Sequence, residues 1–100
     1  MNTAQGPGVE TFEAFAATRR AEGFDEVIER EWAPGQVVGE HRHPFGVKAL
    51  VVRGSFVLGC GGTERTLSAG DRFELEPDVP HTEHYGPEGA TYWVARRNPR

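Results

Sequence analysis

From Gly23 onward the chain alternates short apolar runs with turn signals at close intervals: Pro34-Gly35, Arg53-Gly54, Gly61-Gly62, Ala69-Gly70-Asp71, and Gly86-Pro87 through Gly89. Glycine and proline so closely spaced leave no room for long helices and demand strands joined by tight connections. The runs between them are expected strands: Glu26–Glu31, Val37–His43, Val47–Val52, Ser55–Cys60, Thr63–Leu67, Arg72–Leu75, His81–Tyr85 and Thr91–Ala95. About eight short strands with no intervening helical pattern imply an all-β chain, an antiparallel barrel or jelly roll. The Gly61-Gly62 pair reads as a hairpin turn and not a phosphate cradle, since no helix start follows it.

The segment before Gly23 reads differently. Met1–Gly8 is polar and bears glycine and proline, so a flexible N-terminus is expected over residues 1–8. A helix is expected over residues 9–23. Thr11 can cap it, Glu13 sits in its first turn, Arg19 and Arg20 sit in its last, and Gly23 stops it. Phe12, Phe15 and Ala16 form a narrow apolar stripe for packing on the β domain. That domain is expected over residues 24–97, with residues 98–100 as a tail.

Alternation assigns faces to the strands. Val47, Ala49 and Val51 lie on one side of their strand, and Lys48, Leu50 and Val52 on the other. Both sides are largely apolar, so this strand is expected to be covered twice. Phe73 and Leu75 point to the core, Arg72 and Glu74 to solvent. Strict alternation over Val37–His43 places Val37, Gly39, His41 and His43 on one face. Over the last window His81, Glu83 and Tyr85 share a face, with Thr82 and His84 opposite; a bulge there would exchange Glu83 and His84.

All four histidines fall in two windows, His41-Arg42-His43 and His81-Thr82-Glu83-His84. Imidazoles two apart on a strand project from one face, and a third from a distant strand completes a facial set with open positions. His41, His43 and His81 are therefore the candidate metal ligands. Three neutral imidazoles suit a divalent transition metal, Zn, Fe, Ni, Mn or Cu. Glu83, on the predicted face of His81, is a candidate catalytic residue, either a further metal ligand or a base beside the metal. Tyr85 is the second candidate catalytic residue, bringing a phenol that can donate to a bound carboxylate or carbonyl. Phe45 and Trp93 are candidate pocket walls, with plain core packing as the simpler role for each.

These two windows resemble the motifs of the cupin superfamily of small β-barrels. The first motif has the form G-x5-H-x-H, three or four residues, Glu, then a closing Gly; Gly35, His41, His43 and Gly54 match it. The second has the form G-x5-P-x-G-x2-H-x3-N; Gly70, Pro77 slipped by one, Asp78 in place of Gly, His81, and Tyr85 in place of Asn keep its spacing. The Glu of the first motif falls at Val47 or Lys48, neither a carboxylate. The resemblance spans roughly residues 24–97 and is to a small single-domain cupin of type-2 kind. It implies a three-histidine metal site in a barrel, and an activity of dioxygenase, isomerase, epimerase or lyase type on a small polar or carboxylated molecule. A non-catalytic small-molecule binding or sensor module is the alternative. It also implies a homodimer.

Charge and cysteine usage narrow the partners. The net charge is −4 with signs interspersed, and the sequence has no helix-turn-helix segment or basic recognition helix, so a nucleic-acid partner is not expected. The basic tail Arg96-Arg97-Asn98-Pro99-Arg100 reads as a solvated end. One cysteine, Cys60, forms no internal disulfide. No basic-plus-apolar leader opens the chain and no apolar run approaches a membrane span, so no membrane partner and a cytoplasmic location are expected.

Overall fold

The computed structural model describes residues 10–99. The expected loose segment 1–8 lies outside the described residues. Helix α1 spans Phe12–Ala21. Thr11 caps it, its hydroxyl accepting from the Ala14 N–H at 3.1 Å. Gly23, at φ 99°, ends it, and the N–H groups of Gly23 and Phe24 return to the carbonyls of Arg20 and Arg19.

Six strands follow: β1 (Glu26–Trp32), β2 (Val37–His41), β3 (Gly46–Cys60), β4 (Thr63–Ser68), β5 (Arg72–Leu75) and β6 (His81–Arg97). All pairings are antiparallel, β3 with β4, β5 and β6, and β6 also with β1 and β2. The register shows two layers. One contains β5, the first half of β3, the second half of β6, and β1. The other contains β4, the second half of β3, the first half of β6, and β2.

Eight strands were expected and six form, because two pairs of expected strands are continuous. Val47–Val52 and Ser55–Cys60 are halves of β3, and His81–Tyr85 and Thr91–Ala95 are halves of β6. Arg53-Gly54 and Gly86 through Gly89 are corners in these strands and not connections between them. The β3–β6 register shifts between Val51 and Arg53 and again between Gly54 and Phe56, so paired strands bend together from one layer to the other. Gly54 stands at the corner with φ 75°, and a Cβ there would run into the carbonyl of Gly89.

Between the layers lies the main core, including Val47, Ala49, Val51, Phe56, Leu58 and Tyr85. The opposite face of the first layer carries a second apolar cluster. Phe15 and Ala16 of α1 pack there on Val27, Leu50, Trp93 and Ala95, with Phe12 and Val52 at the margin. The Val47–Val52 segment is thus covered on both sides, as alternation implies. Helix α1 of the same chain supplies the cover on one of these sides.

The corner makes a direct stability prediction. Gly54→Ala places a Cβ in a left-handed conformation and against backbone, a strain of about 1–3 kcal/mol before the clash is counted. Urea unfolding of the variant should show a loss of at least about 2 kcal/mol. A loss within about 0.5 kcal/mol, ordinary for a surface change, would mean that the two strands do not meet this way.

Candidate metal centre

The three histidines come together, though not as strict alternation implies. Val38 pairs with Glu83 and His41 pairs with His81, with a register shift between Val38 and His41. The bulge reverses parity: Val37 points outward, 66% exposed, while His41 turns in. His43 lies beyond the end of β2, on the segment leading to β3. The expectation of one strand over Val37–His43 with all four residues on one face is corrected by this irregularity. An extra residue in one strand shifts every side chain after it to the other face.

The imidazoles stand with centroid separations of 4.2 Å for His41 and His81, 4.9 Å for His43 and His81, and 5.2 Å for His41 and His43. One nitrogen from each lies within 4.8 Å of the other two. Donors about 2.0–2.1 Å from a common cation are separated by roughly 3–4 Å, so the rings need close only slightly around an ion. Two of the rings are aimed by main-chain carbonyls two residues before them. His41 Nδ1 lies 2.8 Å from the Gly39 carbonyl oxygen, and His81 Nδ1 lies 2.9 Å from that of Val79. With the proton on Nδ1, each Nε2 presents its lone pair to the cavity.

His43 is held differently. Its ring stacks on Phe45, 4.6 Å between centroids and 8° from parallel. Its carbonyl accepts from the Asp78 N–H at 2.7 Å. Asp78, at φ 63°, is the one non-glycine with positive φ among the described residues. It adopts the left-handed turn that the cupin motif gives to glycine. Burial, then the neighbouring His81 and His41, push the His43 imidazole below its ordinary pKa.

Glu83 completes the cluster. It is buried, and its Oε2 lies 3.4 Å from His41 Nε2 and 3.7 Å from His81 Nε2. Its Oε1 accepts a short hydrogen bond from the Tyr85 hydroxyl and a longer one, 3.4 Å, from that of Tyr92. Burial above all raises both phenols, with further contributions from the Tyr92 and Glu83 neighbours at Tyr85 and from Glu83 at Tyr92. Both therefore keep their protons and donate.

The structure places Tyr85 behind Glu83 and away from the cavity surface. Its ring stacks between Trp32 and Phe56 at 5.1 and 4.9 Å. The cavity itself is about 280 Å³ and is lined by the three histidines, Glu83, Tyr92 and apolar side chains including Phe45 and Val47. Val47 stands inward, so the position where the cupin motif has a Glu is apolar here. Lys48 faces away and pairs with Glu22 at 3.3 Å. His84 is exposed, as its face implies. Trp93 does not line the cavity; it packs under α1 and donates to Glu29 at 2.9 Å. Cys60 is partly buried and free.

Sequence reasoning passed over Tyr92 and Arg30 and read Arg96 as part of a solvated tail; all three line the cavity, Arg96 because β6 continues to Arg97. Their signal was alternation: Tyr92, Val94 and Arg96 share the inner face of β6. A wider, shallower cleft of about 460 Å³ lies beside β4 and β5, but no cluster of metal-type donors converges on it among the described residues.

The layered antiparallel fold with two histidine windows converging inside it defines a small cupin domain. Residues 23–98 match the AraC-like ligand binding domain family, and the chain belongs to it. A cupin resembling RmlC from Shewanella frigidimarina is 26% identical with a TM-score of 0.65, over 74% of this chain and 66% of that one. A structure of DMSP lyases is 22% identical with a TM-score of 0.66, over 72% of this chain and 37% of that one. An oxalate decarboxylase variant from Bacillus subtilis is 19% identical with a TM-score of 0.66, over 72% of this chain and 20% of that one. At these last two identities the likeness is one of fold. The chain thus spans less than two thirds of the length of each. No curated protein sequence matches it. Among the described residues no helix is long and apolar enough to cross a membrane.

Burial of His43, with His81 and His41 beside it, makes the metal-free protein acid-sensitive. His43 titrates near 6.5 when unfolded and lower when folded. Between those two values the unfolded chain holds more protons, so stability present above pH 6.5 is lost as pH falls through the folded value. With a chelator present, the melting temperature should drop more between pH 7.5 and 5 for the natural protein than for His43→Gln. Parallel pH profiles would show that His43 is not under this strain.

Proposed function

We propose that this chain is a metal-dependent cupin in which His41, His43 and His81 hold one divalent transition metal, Zn, Fe, Ni, Mn or Cu. The convergence of three ring nitrogens within 4.8 Å supports this reading most. The donor set fits such an ion: two of the imidazoles have their Nδ1 engaged by main-chain carbonyls, leaving Nε2 for coordination. Three protein nitrogens leave positions open for a small molecule. When bound, the metal supplies Lewis acidity toward an oxygen of that molecule.

Glu83 takes over the carboxylate role that Val47 and Lys48 lack, entering from β6 instead of β3. Its Oε2 is turned to His41 and His81, and its Oε1 is held by Tyr85 and Tyr92. Held in this way, Glu83 can accept a proton from a molecule in the cavity and return it elsewhere. That favours lyase or isomerase chemistry on a small carboxylated molecule over dioxygenation. Tyr85 serves as a positioning residue, acting through Glu83. The solved structures of lyases and decarboxylases with this fold are in keeping with the reading, and one such decarboxylase is described with Mn(II) centres.

A non-catalytic binding module is the second reading, and the family match favours it, since that family is described by ligand binding. The two diverge at Glu83. A sensor needs the cavity and its walls; an enzyme needs the carboxylate to change protonation.

Elemental analysis of purified protein should find about one transition-metal equivalent per chain, and His81→Ala should lose it. Glu83→Gln separates the roles of the carboxylate: retained metal with lost turnover marks a proton carrier, and lost metal marks a ligand. Natural protein that takes up no metal when dialysed against Mn, Fe, Ni, Cu and Zn salts would end the metal reading.

A further inference from the structure

Two cations in the cavity wall have no part in the metal site. Arg30 of β1 and Arg96 of β6 both line the cavity that holds the histidines. Each guanidinium is fixed by an aromatic ring. Arg30 lies over Trp32, 4.6 Å from the ring centre, and Arg96 lies over Phe45 at 4.9 Å. Phe45 is the ring on which His43 stacks, so Arg96, Phe45 and His43 are linked through one aromatic ring. The positive charge of Arg96 is felt at His43, and that of Arg30 at the Tyr92 phenol.

The charges do not balance inside the cavity. Among its described lining residues two arginines face a single carboxylate, Glu83. Glu26 pairs with Arg96 at 3.2 Å, but its side chain is 53% exposed and sits at the rim. Arg30 has no ion-pair partner among the described residues. A divalent ion on the histidines would deepen the surplus. Arg30 keeps its N–H groups for a planar bidentate acceptor, and Arg96, whose Nη1 donates to Glu26, keeps its remaining ones. The remaining walls, among them Val38, Leu58, Phe73 and Val94, are apolar. The space of about 280 Å³ corresponds to some nine waters at about 30 Å³ each, room for a compact molecule only.

We propose that Arg30 and Arg96 form an anion subsite that binds the carboxylate of a small organic acid, whose apolar stem lies against the cavity walls beside the three-histidine site. The proposal rests on the reading of that site as a metal centre, and it names the class of molecule the centre receives. Carboxylate is favoured over inorganic phosphate because the apolar walls offer a fully hydrated phosphate nothing in exchange for its water. Both arginines are binding residues and neither is asked to move a proton.

The test is calorimetric titration of the metal-loaded protein with succinate, its uncharged analogue succinamide, and inorganic phosphate, with metal content measured on the same samples. Succinate should bind at least about tenfold more tightly than either competitor. Arg30→Gln and Arg96→Gln should each weaken succinate by about tenfold or more at unchanged metal content and unchanged circular dichroism. Arg20→Gln, on the exposed side of α1, serves as the charge control and should bind as the natural protein does. Equal binding of succinate and succinamide overturns the proposal, as does phosphate binding without succinate. Metal-loaded glutamine variants that bind like the natural protein overturn it too. The comparison of the three probes needs no variant, so it decides the matter even if a variant fails to fold. If the natural protein holds no metal, the metal reading fails by itself. The same titrations on metal-free protein then judge the subsite by whether succinate is still preferred and still weakened by the glutamine variants.

Discussion

The pairing of β3 with β6 around a shared corner is the constraint on which the rest of this structure depends. Each strand is long enough to serve both layers, and each turns where Gly54 meets Gly89 and Ala90. Because the two turn together, they stay paired on either side of the bend, in registers that shift at the corner. His81 and Glu83 thereby stand on one layer while Tyr92, Val94 and Arg96 of the same strand stand on the facing one. A single strand so furnishes two opposed walls of the cavity, with His41 brought alongside by β2 and His43 by the segment that follows it. Where the chain lacked a residue that could take φ 75° at this corner, the walls could not face each other.

Much of this was legible in the chain, for identifiable reasons. Period-two alternation is robust inside a straight paired segment, which is why Val47, Ala49 and Val51 fall to one core and Leu50 to the other. Glycine and proline mark places where the backbone changes direction, but not whether pairing stops there. Arg53-Gly54 and Gly86 through Gly89 therefore read as ends when they are bends. Alternation also fails at a bulge, and Gly39, between Val38 and His41, was its one signal, left unused. The convergence of His41 with His81 was recoverable from motif spacing, whereas the side of the strand on which Val37 lies was not. Arg30 was passed over because a lone arginine on a strand looks like any solvated side chain until the layers are closed, and Arg96 because its basic neighbours made it look like part of a free tail.

The electrostatics of the cavity follow from which groups the two layers bring inward. Burial, with His81 and His41 close by, favours the neutral form of His43 and so the lone pair that coordinates. Glu83 is enclosed with two phenols on one oxygen and two imidazoles near the other. The two phenols donate to Oε1 and orient the buried carboxylate without an arginine of its own. The arginines are thus left to the outer part of the cavity, where the walls are otherwise apolar.

The tethers on His41 and His81 end on carbonyl oxygens of Gly39 and Val79, atoms that every amino acid possesses. No change of side chain at either position deletes such an acceptor, so long as the strand keeps its path. Grip and selectivity are therefore encoded separately: the main chain sets how the rings are aimed, and replaceable side chains set what fits in front of them. A lineage carrying this scaffold is free to exchange Val38, Val94 or Arg30 and take up a different guest while His41 and His81 go on pointing the same way.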